Sequence, residues 1–178
     1  RPATDWIRQL EFGSKLNYIT NQENVLETRE QQLNAGVDFE SGDGVNLNYS
    51  HNFEFLESGF LLRGRLPVPP GTYRSDRVSL NFAPYRGRFI SGFFSFQREF
   101  GFWDGDRTTM SLNPRIKVSS NLSFQIQYRF DDIQLPGGDL TSRVSNIRMN
   151  YNFTNNWLTS TTVQYDSVQD LVNVNFRL

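Results

Sequence analysis

The sequence predicts an all-β protein, an antiparallel up-and-down transmembrane β-barrel of about ten strands, and three observations carry that expectation. Leu122 to Phe130, LSFQIQYRF, alternates throughout: Leu122, Phe124, Ile126, Tyr128 and Phe130 fall on one face of an extended strand, Ser123, Gln125, Gln127 and Arg129 on the other. The same alternation recurs along the chain between clusters of Gly, Pro, Asn and Asp, and no segment reads as a helix. A nine-residue strand rising about 3.4 Å per residue and tilted by about 40° projects to roughly 23 Å, close to the apolar height of an outer-membrane barrel.

Composition agrees. The 178 residues carry a formal net charge of -1, with 37% hydrophobic and 15% aromatic residues, no Cys and one His, and a mean hydropathy of -0.54. A high aromatic share with low hydropathy suits strands of which only every second residue meets lipid. No run approaches the roughly 18 apolar residues of a membrane-spanning helix. Without Cys there are no thiolate metal sites, cysteine nucleophiles or disulfides, and a charge near zero gives no reason to expect a nucleic-acid partner. The chain starts without Met or a signal peptide, so it is expected to be mature, processed or cut from something longer.

The elements follow in order. Strand one, roughly Asp5 to Thr20, sets Trp6, Leu10, Phe12, Leu16 and Tyr18 against Gln9, Glu11, Lys15 and Asn17, with Arg8 and Ser14 interrupting the apolar face. After Asn21 to Asn24, strand two sets Leu33, Ala35, Val37 and Phe39 against Gln32, Asn34, Asp38 and Glu40, and its first half, Glu27 to Gln32, is too polar for lipid. Ser41-Gly42-Asp43-Gly44 is a tight turn. Strand three shows Val45, Leu47, Tyr49, Phe53 and Phe55 outward. The connection Leu56 to Gly71 is the longest; its prolines forbid a central strand, and Phe60, Leu61, Leu62 and Leu66 imply that it packs in the lumen, on a partner or at the rim.

Strand four points Val78, Leu80 and Phe82 outward. Strand five points Ile90, Phe94 and Phe96 outward; Phe93 either faces inward or is re-aimed by a bulge near Gly92. In strand six, with Met110, Leu112, Ile116 and Val118 outward, Pro114 predicts an edge or a local distortion. Leu122 to Phe130 is strand seven. Strand eight carries Ile147, Met149, Tyr151 and Phe153, strand nine Trp157, Val163 and Tyr165 after Thr154-Asn155-Asn156, and strand ten Val172, Val174, Phe176 and Leu178.

Short connections at Gly42, Arg86, Ser120 and Asn155 alternate with longer ones, or longer hairpins, at Asn24, Pro67, Asp104, Pro136 and Gln169. In outer-membrane barrels short turns face the periplasm. Both termini are then expected there. An aromatic girdle at the two interfaces is expected from Trp6, Tyr18, Phe55, Trp103, Phe153, Trp157 and Tyr165.

PPGTYR at Pro69 to Arg74, LPGGDL at Leu135 to Leu140 and YDSVQDLVNVNFRL at Tyr165 to Leu178 resemble the C-terminal outer-membrane barrel domain of unknown function that follows a family 9-like carbohydrate-binding domain in Gram-negative envelope proteins. The resemblance covers about Pro69 to Leu178, and because barrels of that family continue past NFRL with further strands it implies a piece of a larger protein, with ten as a lower bound on the strands. It implies a bacterial outer-membrane location, lipid as a partner and a periplasmic carbohydrate-binding domain as a possible second one, and it brings no catalytic residues or cofactor.

Inward positions divide by charge. Glu11, Asp38, Glu40 and Glu54, joined by Glu30, form an acidic wall; Arg77, Arg115, Lys117, Arg129, Arg148 and Arg177 form a basic one. Two readings follow: a transverse field across a water-filled pore, or a narrow lumen filled by paired side chains. His51 shares the outward face with Tyr49 and Phe53, which disfavours a rim-sited enzyme with a histidine base. Asp104, Asp106, Asp131, Asp132 and Asp139 read as solvated loop carboxylates, with Ca²⁺ binding as the alternative if the loops converge. Phe100, Phe102 and Trp103 read as girdle residues, with sugar stacking as the alternative. The expected function is a porin-like pore or a membrane anchor and scaffold for the carbohydrate-binding domain, with no metal. A rim-sited enzyme and a soluble lipocalin-like binder are the alternatives.

Overall fold

In a computed structural model, which describes residues 4–154 and 157–178, alternation becomes strand in every predicted segment. The strands are β1 (Ile7–Thr20), β2 (Leu26–Phe39), β3 (Gly44–Leu56), β4 (Phe60–Leu62), β5 (Leu66–Val68), β6 (Gly71–Ala83), β7 (Ile90–Phe102), β8 (Gly105–Lys117), β9 (Leu122–Leu135), β10 (Gly138–Thr154), β11 (Trp157–Asp166) and β12 (Leu171–Arg177). Ten of them form one antiparallel sheet in chain order, a meander from β1 to β12, while β4 and β5 pair separately within the β3–β6 connection. Among the described residues β1 and β12 each have a strand neighbour on one side only.

The registers join the predicted apolar positions into one face. Phe12 pairs with Ala35, Ala35 with Leu47, Leu47 with Leu80, Leu80 with Phe96, Phe96 with Met110 and Met110 with Phe130. Farther along, Ile126 pairs with Ile147, Ile147 with Val163 and Val163 with Val174. A strand's period of two keeps each row on one side, so a single face stays apolar across ten strands. Much of it is uncovered: Phe12 is 79% exposed, Leu80 48% and Phe96 50%.

The structure decides between alternatives that the sequence left open. The connections at Asp104 and Pro136 belong to longer hairpins and have no longer loops: they turn in two residues, at 103–104 and 136–137, because the strands run on, β9 and β10 as far as Leu135 opposite Gly138. Trp103 (φ 48°) and Asp104 (φ 64°) both take the left-handed conformation that a two-residue hairpin turn requires. The predicted turn at Asn155 and Asn156 lies outside the described residues.

Pro114 does not place its strand at an edge; β8 sits between β7 and β9. The local distortion is present instead, since the β8–β9 ladder passes from Leu112–Tyr128 to Arg115–Gln125 without rungs at Asn113 and Pro114. Across the other ladder Pro114 faces Gly92, at φ 134°, where a Cβ would collide with the Asn113 carbonyl oxygen. The β7–β8 register continues through Gly92 without a shift. Phe93 therefore lies on the polar face, beside Glu11, Asn46 and Asn81.

The prolines keep the long connection out of the main sheet, as expected: Pro67 lies within β5, in a separate hairpin. The connection at 57–70 folds as a strap across the polar face. Leu66 and Val68 are buried with Tyr73, Phe102, Ile133, Leu135 and Leu140, and Leu56, Leu62 and Trp103 pack against them. Burying one such aliphatic or aromatic side chain contributes about 1.5–3 kcal/mol. That is ample to hold the strap at this end of the sheet.

Candidate functional site on the polar face

Beneath the strap lies a charge network. Asp131 on β9 is 2% exposed and accepts from Arg129 (2.7 Å), Arg107 (3.0 Å) and Thr109 (2.7 Å), with Arg63 of the strap at 3.9 Å. Arg63 also donates to Ser142 on β10 at 2.6 Å. A buried carboxylate persists only where donors replace water around it, and here several elements supply them. Next along, Glu99 on β7 is 2% exposed and its Oε1 accepts from Ser75 (2.8 Å) and Arg77 (3.1 Å).

Alternation explains why both acids lie on the polar face. Asp131 stands two residues after Arg129 and Glu99 two after Gln97, so each continues the polar face of its strand. Sequence reasoning ended strand seven at Phe130 and treated Asp131 as a loop residue. Parity carried one step further would have found it.

The predicted acidic residues gather in two places. Glu11 and Asp38 line a recess with Asn46, Asn81 and Phe93, and Asp38 also pairs with Arg8 at 3.3 Å. Glu54 and Glu30 line a second recess, of about 270 Å³, with Asn52, Tyr73, Ser75, Arg77, Glu99 and Trp103. Glu40 is not on a strand wall; it lies in the turn at 40–43, its N–H donating to the Trp6 carbonyl.

The basic residues divide. Arg148 and Arg177 share a recess of about 390 Å³ with Asn146, Ser160, Thr162, Gln164 and Asn175. Arg115 lies opposite Ser91 in the β7–β8 ladder. Arg77 and Arg129 are held by Glu99 and Asp131, and Lys117 donates to the Arg86 carbonyl in the turn at 84–89. The basic half is thus interrupted by two carboxylates absent from the predicted walls.

Several other expectations shift. Trp103 leaves the girdle: it packs on Phe102 (ring centroids 4.2 Å), meets Phe60 edge-on at 5.1 Å and donates to Glu54 at 2.9 Å. Phe102 is buried in the strap cluster. Trp6, Tyr18, Phe55, Phe153, Trp157 and Tyr165 are exposed, Trp6 stacked on Phe39 at 5.8 Å. His51 accompanies Tyr49 on the apolar-face register, where both meet Asp76, at 2.9 and 2.6 Å. Of the loop carboxylates, Asp104 stays in a turn and four move into strands. Asp106, Asp131, Asp132 and Asp139 all lie in strands; Asp106 pairs with Arg98 at 2.7 Å, and Asp132 accepts from Thr141 at 3.0 Å. No group of three or more acidic or histidine side chains among the described residues is placed to hold a metal ion.

The motifs behind the family resemblance have structural places. Pro69 to Arg74 ends the strap and begins β6, with the Tyr73 hydroxyl donating to the Pro69 carbonyl at 2.7 Å. Leu135 to Leu140 is the β9–β10 turn, whose two flanking leucines are buried under the strap. Tyr165 to Leu178 covers the β11–β12 hairpin. Comparison with known proteins finds no matching family, no matching characterised protein and no matching solved structure.

Proposed function

We propose that the sheet forms the wall of a transmembrane β-barrel in a bacterial outer membrane, acting as a porin-like channel for small polar solutes that the strap narrows at one end. One observation carries this reading: the apolar face has a polar border on neighbouring strands, His51 facing Asp76 and, stepped one rung nearer the belt, Arg98, Thr108 and Asp132 facing one another in turn, with the aromatic Phe53, Phe55 and Phe100 beyond it. Beyond Tyr49 comes His51, beyond Val78 comes Asp76, beyond Phe96 comes Arg98, beyond Met110 comes Thr108 and beyond Phe130 comes Asp132. A belt of this kind matches a hydrocarbon slab, and the polar rows beyond it match its headgroup boundary. Closure requires β1 and β12 to pair with each other or with further strands, since a free edge in hydrocarbon leaves backbone groups unpaired.

The strap favours a second reading as well. An apolar cluster with an arginine tie beneath it can plug the lumen, leaving a membrane anchor and scaffold for a periplasmic carbohydrate-binding partner, as the motif resemblance implies. A soluble lipocalin-like binder is less well supported, because the uncovered face is the apolar one. A rim-sited enzyme lacks support too, with His51 on the apolar face. Liposome flotation followed by single-channel conductance in a planar bilayer tests the proposal. Conducting steps altered by Arg129→Glu or Glu11→Lys are expected; flotation without conductance establishes the anchor instead, and failure to float rejects the membrane reading.

A further inference from the structure

Two neighbouring rungs of the polar face cross five strands without an acid. Arg115 on β8 and Arg148 on β10 both face Gln125 on β9, and the rung runs on through Thr162 to Asn175. Two residues along, Lys117 faces Ser123, which faces Asn150, and that rung runs on through Ser160 to Arg177. With about 4.8 Å between strands and 3.4 Å per residue, this acid-free field measures roughly 19 Å by 7 Å. The polar-face carboxylates of the same strands are occupied elsewhere. Asp131 lies beneath the strap, and Asp166, four residues beyond Thr162, caps the turn at 167–170 by accepting the Val168 N–H at 2.8 Å.

The guanidiniums under the strap and beside Glu99 all have a carboxylate: Arg63, Arg107 and Arg129 meet Asp131, and Arg77 meets Glu99. Arg148 and Arg177 have none among the described residues, and both are exposed. Arg148 Nε donates to Thr162 Oγ1 at 3.3 Å, which steadies the planar head and leaves its two terminal nitrogens for a ligand. The recess of about 390 Å³ that the two arginines share is otherwise walled by Asn146, Ser160, Thr162, Gln164 and Asn175. These are neutral side chains that each donate and accept, and among the described residues no aromatic or aliphatic side chain joins them.

We infer that this recess binds a small polyhydroxylated carboxylate, a sugar acid in chemical class. A guanidinium presents paired N–H groups that match the two oxygens of a carboxylate, and the arginines supply the charge that such an anion needs. The amides and hydroxyls between them suit a body covered in hydroxyls, whereas an apolar body finds no surface to lie on. Small-molecule sites begin near about 300 Å³, so the recess is of monosaccharide size. The inference gives the solute of the channel reading a chemical class and rests on that reading for passage, while binding rests on the recess.

The test is isothermal titration calorimetry of the full folded chain in detergent, with sodium D-glucuronate as the probe. Saturable binding is expected, with D-glucose and D-glucosamine each at least about tenfold weaker, since a charge-assisted hydrogen bond is worth that factor or more. Acetate carries the charge without the hydroxyls and is expected to be weaker by about tenfold as well, through the loss of several neutral hydrogen bonds. Arg148→Gln and Arg177→Gln are each expected to weaken glucuronate binding by at least about tenfold. Arg143→Gln removes the same charge from the opposite face of β10 and is expected to leave binding unchanged. Should one recess variant not fold by circular dichroism, the other carries the expectation. Absence of saturable binding, equal binding of glucose or of acetate, or undiminished binding by a folded recess variant overturns the site. Conductance of the same preparation reports on the channel reading separately: conduction without binding overturns this assignment alone, and binding without conduction upholds the recess while the channel reading falls.

Discussion

Arg63, at the tip of the strap, donates to Ser142 on β10 at 2.6 Å across 79 positions of sequence. With Asp131 at 3.9 Å it ties the long connection to the far side of the polar face. Nothing local to residues 57–70 specifies that destination; the partners come from β9 and β10.

Removing the carboxylate at the centre of that tie is expected to be severe. Asp131→Ala leaves Arg63, Arg107 and Arg129, which are 27% to 51% exposed, facing one another with no counter-charge, and removing the shared acceptor of these donors is expected to cost about 1–3 kcal/mol. Denaturant unfolding in the detergent or lipid that keeps the protein folded measures it. A loss below 1 kcal/mol would show the network to be dispensable.

Arg63→Ala is milder, because the apolar contacts of Leu66 and Val68 remain. It removes one charge-assisted bond to Ser142, and is expected to speed tryptic cleavage at Arg65 and, if the channel reading holds, to raise conductance. Unchanged proteolysis would mean that the apolar cluster alone fixes the strap.

The two faces of β9 offer a direct test of the belt. Ile126→Arg places a charge on the apolar face and is expected to cost about 2–4 kcal/mol in a bilayer, whereas Gln127→Arg on the polar face is expected to be near neutral. Urea titration in liposomes distinguishes them. Equal effects would contradict a lipid-facing belt.

At Gly92 the prediction concerns backbone. With φ at 134° and the Asn113 carbonyl where a Cβ would stand, Gly92→Val is expected to lower stability by about 1–3 kcal/mol or more through strain. Thermal unfolding checks it. An unshifted midpoint would mean that Pro114 does not depend on its neighbour.

Asp43 predicts a pH dependence. In the turn at 40–43 its carboxylate accepts the Tyr85 N–H (2.9 Å), the Ser41 hydroxyl (2.7 Å) and Arg88 (2.5 Å), and these donors, Tyr85 foremost, hold its pKa below the ordinary carboxylate value. A lowered pKa contributes stability that is fully present above the ordinary value and is lost as pH falls through the lowered one. The stability gap between the protein and Asp43→Asn is therefore expected to be widest near neutral pH and to close in acid. A gap that grows on acidification would reverse the assignment.

Alternation decided much of this protein in advance. Ten strands, their order along the chain and the assignment of Leu122 to Phe130 to opposite faces follow from a period of two, which each strand expresses in its own residues. Asp131 and Glu99 were within reach of the same rule. Trp103 was not, because a two-residue turn aims its side chain by backbone twist and not by strand parity. Nor was the place of Pro114, which only the facing Gly92 makes tolerable inside a sheet. The strap's route and the three guanidiniums around Asp131 depend on which distant residues meet. Hydrophobic patterning specifies a face but not the partner laid against it; that choice is made by the packing of Leu66 and Val68 on Ile133, Leu135 and Leu140, contacts that exist only once the sheet has formed.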